Sequence, residues 1–159
     1  MVDKEVSTVA LFLVAMLAIF VAVQPLLPSN AENFSELGVL GPNQTIANYP
    51  TSLVAGQSFH LYGFVGNHEG AVEYYQVLVK LGNQTTQVSN KTSSVAPTMA
   101  TYSQVLNNNQ NWTFPMNLSI NRTGTNLKII FELWSYNSTD SSFAYLGLWN
   151  QLYVNVTGQ

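Results

Sequence analysis

The sequence predicts an all-β fold, an immunoglobulin-like β-sandwich of about seven strands, preceded by one N-terminal transmembrane helix. Three observations predict it: a long uncharged hydrophobic segment near the start, two-residue alternation of apolar and polar side chains after it, and turn residues between the alternating segments. The predicted organisation is a cytoplasmic tail at 1–5, a transmembrane helix at 6–27, a linker at 28–33 and an extracellular domain at 34–159.

The hydrophobic segment runs from Val6 to Leu27 and contains no charged residue. A helix of this length spans about 33 Å at about 1.5 Å per residue, enough to cross a hydrocarbon core of about 30 Å. Apolar side chains surround the helix without a polar stripe, which disfavours an amphipathic surface helix. Residues 6–27 are therefore predicted to be a signal anchor, with Pro25 and Pro28 at its exit.

Flanking charge predicts the orientation of this anchor. Lys4 precedes the segment and the next basic residue is Lys80, which favours an N-terminus inside the cell and a domain outside it.

Two alternatives to a signal anchor stay open for this segment. The small residues at 29–31 suit cleavage by a signal peptidase, although the apolar segment is longer than that of a usual signal peptide. Glu5 before a long apolar helix is also typical of subunits of pilus-like filaments.

The clearest strand pattern covers Trp112 to Asn121. Polar residues occupy one face of this strand, and Pro115 shares their parity. Because proline cannot donate to a β-ladder, an edge strand or a bulge is predicted here. The apolar residues of the other face are Trp112, Phe114, Met116, Leu118 and Ile120.

Five further segments carry comparable patterns: 58–65, 72–81, 99–106, 127–134 and 145–156. The segment at 127–134 is apolar on both faces apart from Lys128 and Glu132, which predicts a central strand. Asn67–Gly70 is predicted to be a hairpin connection, and Gly82–Asn83 a second turn. In the last segment, the predicted core phase comprises Leu146, Leu148, Leu152, Val154 and Val156.

Composition excludes several classes of function. Charged residues make up 8% of the chain and the net charge is −3, so the clustered Lys and Arg of a nucleic-acid-binding surface are missing. Cysteine is absent, which excludes disulfide scaffolds, thiolate metal sites and cysteine nucleophiles. An exported domain of this kind depends on a hydrophobic core, and 12% aromatic residues suffice for one.

Asn-x-Ser/Thr triplets are dense after the hydrophobic segment, and none has proline in the middle position. Such sequons accept N-linked glycans only on the external side of a membrane. We therefore predict an exported, glycosylated domain, and the composition alone accounts for a minority of these triplets. The predicted glycosylation sites are Asn33, Asn43, Asn83, Asn90, Asn111, Asn117, Asn121, Asn137 and Asn155.

No constellation of residues in the sequence predicts catalysis, a cofactor or a metal site. His60 and His68 are the only histidines, and Glu69 and Glu73 lie near the second. A His/Glu metal site is conceivable there, but we expect His60 to face solvent and His68 to cap a turn. A Gly-x-Ser-x-Gly nucleophile motif is absent. Carboxylates without a distinguishable pair are Glu32, Glu36, Glu69, Glu73, Glu132 and Asp140.

Aromatic residues cluster towards the C-terminal end of the sequence. Most are expected in the core, but some could form an exposed platform for a sugar or a partner protein. The cluster comprises Trp134, Tyr136, Phe143, Tyr145, Trp149 and Tyr153.

Two stretches, 48–59 and 66–79, carry a resemblance to a known family. The second contains the turn Asn67-His68-Glu69-Gly70. Over residues 36–156 the chain resembles an archaeal membrane-protein family of unassigned function, whose members join hydrophobic helices to an exported immunoglobulin-like domain. The resemblance implies a fold, an archaeal envelope location and glycosylation, and it implies no catalytic residue. Longer members have several membrane segments where this chain has one.

The sequence thus predicts a membrane-anchored cell-surface β-sandwich that makes non-catalytic contacts with an envelope protein. The segment Tyr49–Gly82 holds no sequon and is the predicted glycan-free contact face. Two other functions stay open: a subunit of an extracellular filament that assembles by its helix or by strand exchange, and an accessory subunit of a membrane enzyme or transporter.

Overall fold

The computed structural model of the chain describes residues 4–23 and 32–158, and it places a helix and a β-domain in two separate units divided at residues 32 and 33. The helix, α1, covers Lys4–Val23 and includes most of the predicted hydrophobic segment. Among the described helical residues, none forms a stretch that meets the length and hydropathy needed to cross a bilayer. Residues 24–31, which contain most of the predicted linker, and the first three residues of the tail lie outside the described residues.

Eight strands form the β-domain. They are β1 (Phe34–Leu40), β2 (Ser52–Val54), β3 (Ser58–His68), β4 (Glu73–Gly82), β5 (Thr98–Leu106), β6 (Gln110–Ser119), β7 (Gly124–Asn137) and β8 (Ser142–Thr157). A three-stranded sheet has the order β1-β3-β6, and a five-stranded sheet has the order β2-β8-β7-β4-β5. All neighbours are antiparallel except β2 and β8. The predicted β-sandwich is confirmed, with eight strands in place of about seven.

The core lies between the two sheets and follows the predicted alternation. Its fully buried members come from β3, β4, β6 and β7, because alternate side chains of each strand point to the same face. They include Leu61, Val65, Tyr75, Val77, Met116, Ile129, Phe131 and Leu133. The prediction that β6 is an edge strand with an exposed Pro115 is confirmed, and so is the central position of β7. Met116 is a core residue, as expected.

One predicted core residue lies at the surface. The register between β7 and β8 shifts between Leu133 and Trp134, where β8 contains two extra residues. Leu146 is in this bulge and is 38% exposed, while Leu148 on its C-terminal side packs against the core. A β-bulge changes the direction of side chains locally, which a regular two-residue period does not show.

The predicted contact segment Tyr49–Gly82 does not form one surface. It contains β2, β3 and β4, and β3 belongs to the three-stranded sheet whereas β4 belongs to the five-stranded sheet. The prediction of a single contact face from this segment is therefore wrong. The reason is that consecutive strands of a sandwich can enter opposite sheets.

Candidate functional site

The outer face of the five-stranded sheet carries a row of apolar side chains, one from each of four adjacent strands, of which three are exposed and Phe143 is half-buried. Val105 of β5 lies opposite Tyr74 of β4, and Tyr136 of β7 lies opposite Phe143 of β8. The rings of Tyr74 and Tyr136 are 6.3 Å apart, and Phe143 lies 5.1 Å from the first and 5.5 Å from the second. We call these four residues the contact row.

The contact row is open to solvent. Val105 is 52% exposed, Tyr74 40% and Tyr136 39%, and the nearby Val72 is 61% exposed. A contiguous apolar and aromatic surface of this kind typically marks an interaction site. Of the predicted aromatic platform, Tyr136 and Phe143 belong to the row, and Tyr74 from β4 completes it.

The middle of this sheet face is covered by the segment 83–97, which connects β4 to β5 and which we call the strap. Four hydrogen bonds with sheet side chains hold it. Lys128 Nζ donates to Thr86 O at 2.8 Å and Tyr145 Oη donates to Ser89 O at 2.9 Å. The other two involve the backbone of Ser94, whose carbonyl accepts from one partner of a buried ion pair and whose N–H donates to the other.

That ion pair joins Lys80 Nζ to Glu132 Oε2 at 2.9 Å, and both side chains are buried. Lys80 also donates to Ser94 O at 2.6 Å, and Ser94 N donates to Glu132 Oε1 at 2.6 Å. Trp134 Nε1 donates to Glu132 Oε2 at 3.2 Å. Both charges are thus fully hydrogen-bonded, which is the condition under which a buried pair is tolerated. Burial and, secondarily, the Glu132 carboxylate raise the pKa of Tyr145 to about 12.

The prediction of a hairpin at 67–70 is wrong, because β3 and β4 on its two sides belong to different sheets and do not pair. The connection organises the end of the sandwich next to the contact row. Asn67 is fully buried, and its Nδ2 donates to Ala71 O at 2.8 Å and to Leu106 O at 2.9 Å. Its Oδ1 accepts from the backbone of Glu69 at 3.0 Å and from Tyr75 Oη at 3.3 Å. One amide therefore connects the β3–β4 turn to the end of β5. The motif that carries the family resemblance has a structural role.

A shallow polar cleft lies beside this amide. Ser35 Oγ donates to Glu69 Oε1 and Ser135 Oγ donates to Glu73 Oε2, both at 2.6 Å. Because Ser35 donates its only proton to Glu69, Tyr75 Oη shares its single proton between Ser35 Oγ at 2.8 Å and Asn67 Oδ1 at 3.3 Å. Burial raises the pKa of Tyr75, and the Glu69 and Glu73 carboxylates raise it further.

The two histidines lie on the outer side of the three-stranded sheet. His60 is exposed, as predicted. His68 stacks on Phe34 at 4.7 Å, and its ring nitrogens lie 3.1 Å from Asn109 Oδ1 and 3.7 Å from Glu36 Oε2. It therefore bridges β1 and the β5–β6 turn, a role different from the turn cap expected. Within the described residues, no three His, Cys, Asp or Glu side chains approach closely enough to form a metal centre.

All predicted glycosylation sites are exposed in the structure. They are distributed over the chain segment before β1, the loops and strap, and the outer faces of β6 and β8, whereas β4 and β5 carry none. Asn137 at the end of β7 borders the contact row; its Nδ2 donates to Asp140 Oδ2 at 2.9 Å. The exposed sites are Asn33, Asn43, Asn83, Asn90, Asn111, Asn117, Asn121, Asn137 and Asn155.

The sequence could not locate the contact row, because its members are spread over 69 positions, from Tyr74 to Phe143, and meet only through strand pairing. Tyr74 and Val105 each look like the solvent-facing residue of an amphipathic strand. The signal in the sequence is an apolar residue at a strand position whose alternation predicts a solvent-facing side chain, at Tyr74 in β4 and again at Val105 in β5.

Several solved structures are similar to this chain at low sequence identity. A β-glucosidase from Listeria innocua has 15% identity over 80% of this chain and 16% of its own, with a TM-score of 0.47. A CARDB domain from Pyrococcus furiosus, solved with di-metal ions, has 9% identity over 79% and 89%, with a TM-score of 0.49. This chain spans about a sixth of the β-glucosidase.

A chain of the human complex between zinc 2-glycoprotein and prolactin inducible protein matches 81% of this chain and 99% of its own length at 11% identity, with a TM-score of 0.48. A search among curated proteins found no match. A family model described as a domain of unknown function, DUF1616, matches residues 28–150, which is most of the chain. The chain is therefore a member of the DUF1616 family.

Proposed function

We propose that this chain is a cell-surface protein of an archaeal envelope, in which residues 6–27 anchor a glycosylated β-sandwich that binds another envelope protein without catalysis. The contact row is the proposed binding surface. The observation that carries the proposal is that an apolar and aromatic row stays exposed on the outer face of the five-stranded sheet, where β4 and β5, which present Tyr74 and Val105, hold no sequon. Glycans at the exposed asparagines would surround this row, with Asn137 at its border, and would limit the partner's approach to the row itself.

Anchorage by residues 6–27 is supported by the uncharged apolar sequence and by the position of Lys4 before it. Archaeal origin is supported by the resemblance of the 66–79 stretch. The absence of cysteine is compatible with an oxidising exterior, because the chain has no thiol that would have to be kept reduced there.

Aromatic residues supply a large contact area at low entropic cost, which suits the contact row to protein recognition. Three mutually tilted rings and Val105 form one contiguous surface on the sheet, and the strap borders it on one side. A partner with exposed apolar side chains would bury this row, while the strap and its Asn90 glycan would limit the direction of approach.

Protease added to intact cells tests the topology, and glycopeptide mass spectrometry tests the modification. We expect cleavage of the domain outside the cell and glycans on several of the nine asparagines. Protection of the domain in intact cells, together with unmodified sequons, would refute the proposal.

Co-purification of the full chain after mild detergent extraction tests the binding surface. We expect Tyr74→Ala with Tyr136→Ala to reduce recovery of the partner at least about tenfold, since aromatic anchors each contribute about 2 kcal/mol or more to binding. Tyr153→Ala is the matched control, because Tyr153 is 47% exposed on β8 away from the row. Equal loss in the control would remove the contact row from the proposal.

A stoichiometric larger membrane complex would favour the accessory-subunit role, and fibres in shed surface material would favour the filament role.

A further inference from the structure

Four strands have a free edge in this sandwich: β1 and β6 in the three-stranded sheet, and β2 and β5 in the five-stranded sheet. A free edge presents unpaired backbone donors and acceptors that can pair with another chain, and proteins usually block such edges. Three of these four edges are blocked here, each by a different device.

Side chains block the edge of β1. Tyr49 Oη donates to Val39 O at 2.7 Å, and Asn150 Nδ2 donates to Leu37 O at 3.0 Å. Two successive carbonyls on the same side of β1 are thereby occupied. The β2 edge is only three residues long, which is too short to template a strand.

Proline and sequons block the edge of β6. Since the carbonyls of Leu37 and Val39 point away from β3, antiparallel geometry directs the backbone N of Pro115 away from β3 as well. Proline has no N–H, so this edge lacks a donor at its centre. Asn111 and Asn117 lie on the same strand and are exposed, so glycans there would surround the edge.

The β5 edge carries none of these devices after a β-bulge at Met99 near its start. Its nine residues, Thr98–Leu106, include no charge, no proline and no sequon. Thr101, Ser103 and Val105 are exposed along it. Beyond the ladder with β4, a side chain occupies its last carbonyl: Leu106 O accepts from Asn67 Nδ2 at 2.9 Å.

We propose that β5 pairs with β5 of a second copy of this chain in an antiparallel two-fold arrangement, with Ser103 opposite Ser103 of the second copy. A second copy fits because the strand is uncharged: it meets itself without repulsion, although the chain as a whole has a net charge of −3. A two-fold contact of one patch with itself is closed. The three blocked edges leave no second site for strand addition, so assembly stops at a dimer.

The expected interface is small. Nine residues at about 3.4 Å each give a strand of about 31 Å, and a sheet thickness of about 10 Å then gives roughly 600 Å² buried in total. A stable specific interface buries about 1,200 Å² or more, so the dimer is weak in dilute solution. Under the proposed function, on which this inference rests, membrane anchorage raises the local concentration of copies and populates the dimer.

The dimer would extend the binding surface of the proposed function. A two-fold axis perpendicular to the sheet keeps both outer faces on the same side of a ten-stranded sheet. Two contact rows then face one direction, and a partner with two binding sites would be held bivalently.

Disulfide trapping tests the pairing directly. The chain has no cysteine, so a single introduced one is its only thiol. We expect full-length Ser103→Cys in membranes to form a disulfide-linked band of twice the chain mass after mild oxidation. Ser52→Cys is the matched control, because Ser52 is an exposed serine on the short β2 edge, and it should give less than about a tenth of that band.

Charge variants test the same edge without oxidation. Ser103→Lys and Ser103→Glu should each weaken self-association of two differently tagged copies at least about fivefold, whereas mixing the two variants should restore it. Restoration also shows that both variants fold.

Three results would overturn the dimer: no band from Ser103→Cys, an equal band from Ser52→Cys, or a band with a protein of different mass. Protease digestion of intact cells in the same experiment tests the external location required by the proposed function, independently of the dimer. An external monomer overturns only the dimer, and a protected, unglycosylated chain overturns the proposed function whether or not the band forms.

Discussion

Replacing Asn67 by alanine is the sharpest test of how the turn at 67–70 stabilises the domain. The substitution removes four hydrogen bonds, of which those with Leu106 O and Tyr75 Oη are buried. Each buried group left without a partner costs about 1–3 kcal/mol. Tyr75 keeps its hydrogen bond with Ser35, so the expected loss is about 2–4 kcal/mol. Against a typical stability of about 5–15 kcal/mol, this is a large effect.

Urea unfolding of the full chain, followed by tryptophan fluorescence, measures this loss. The midpoint should fall while the dependence on urea concentration stays the same, because the unfolded surface is unchanged. Asn107→Ala is the matched control: Asn107 is exposed on the adjacent turn, and its effect should stay within about 0.5 kcal/mol. If Asn67→Ala differs from this control by less than about 1 kcal/mol, the assigned role of the buried amide is wrong.

Three further predictions concern the sheet. Lys80→Met or Glu132→Gln alone should lower the free energy of unfolding, measured in urea, by about 3–5 kcal/mol, because a single change leaves one buried group without its partner. The double variant should lose less than either single variant. A double variant that loses the sum of both would contradict this. Gly63→Ala should cost about 1–3 kcal/mol because its Cβ would collide with a core aromatic ring, whereas Gly38→Ala should be near neutral by the same assay; equal effects would exclude the packing explanation. The folded-state pKa of Tyr145 is raised to about 12 from an ordinary value near 10, so its contribution to stability is present below pH 10 and is lost as pH rises towards 12. The free energy of unfolding of Tyr145→Phe should therefore fall less steeply between pH 10 and 12 than that of the unmodified chain. Identical pH profiles of the two proteins would refute the assignment.

Local patterns predicted much of the fold because strand faces are a local property. The alternation around Trp112 to Asn121 correctly indicated the buried face of β6, and Pro115 indicated its edge position. The apolar run at 127–134 correctly indicated a central strand. Leu146 was assigned to the core because a bulge arises from pairing with β7, which the sequence of β8 alone does not contain.

The candidate site was less predictable, because its parts come from distant segments. Tyr136 and Phe143 were recognised as platform candidates, but Tyr74 and Val105 join them only through the pairing of β4 with β5 and β7. The sequon-free segment at 49–82 was read as one face although its strands enter different sheets.

The sequence by itself determined the alternating strands, the long hydrophobic segment, the exclusion of thiol chemistry and the positions of all sequons. Each of these depends on a residue and its near neighbours along the chain. Only the tertiary structure decided which sheet face the strap covers, which apolar residues stay exposed, and which strand edge stays open. Those properties depend on contacts between residues far apart in sequence, such as Lys80 with Glu132 and Asn67 with Leu106, and these contacts exist only once the sheets have formed.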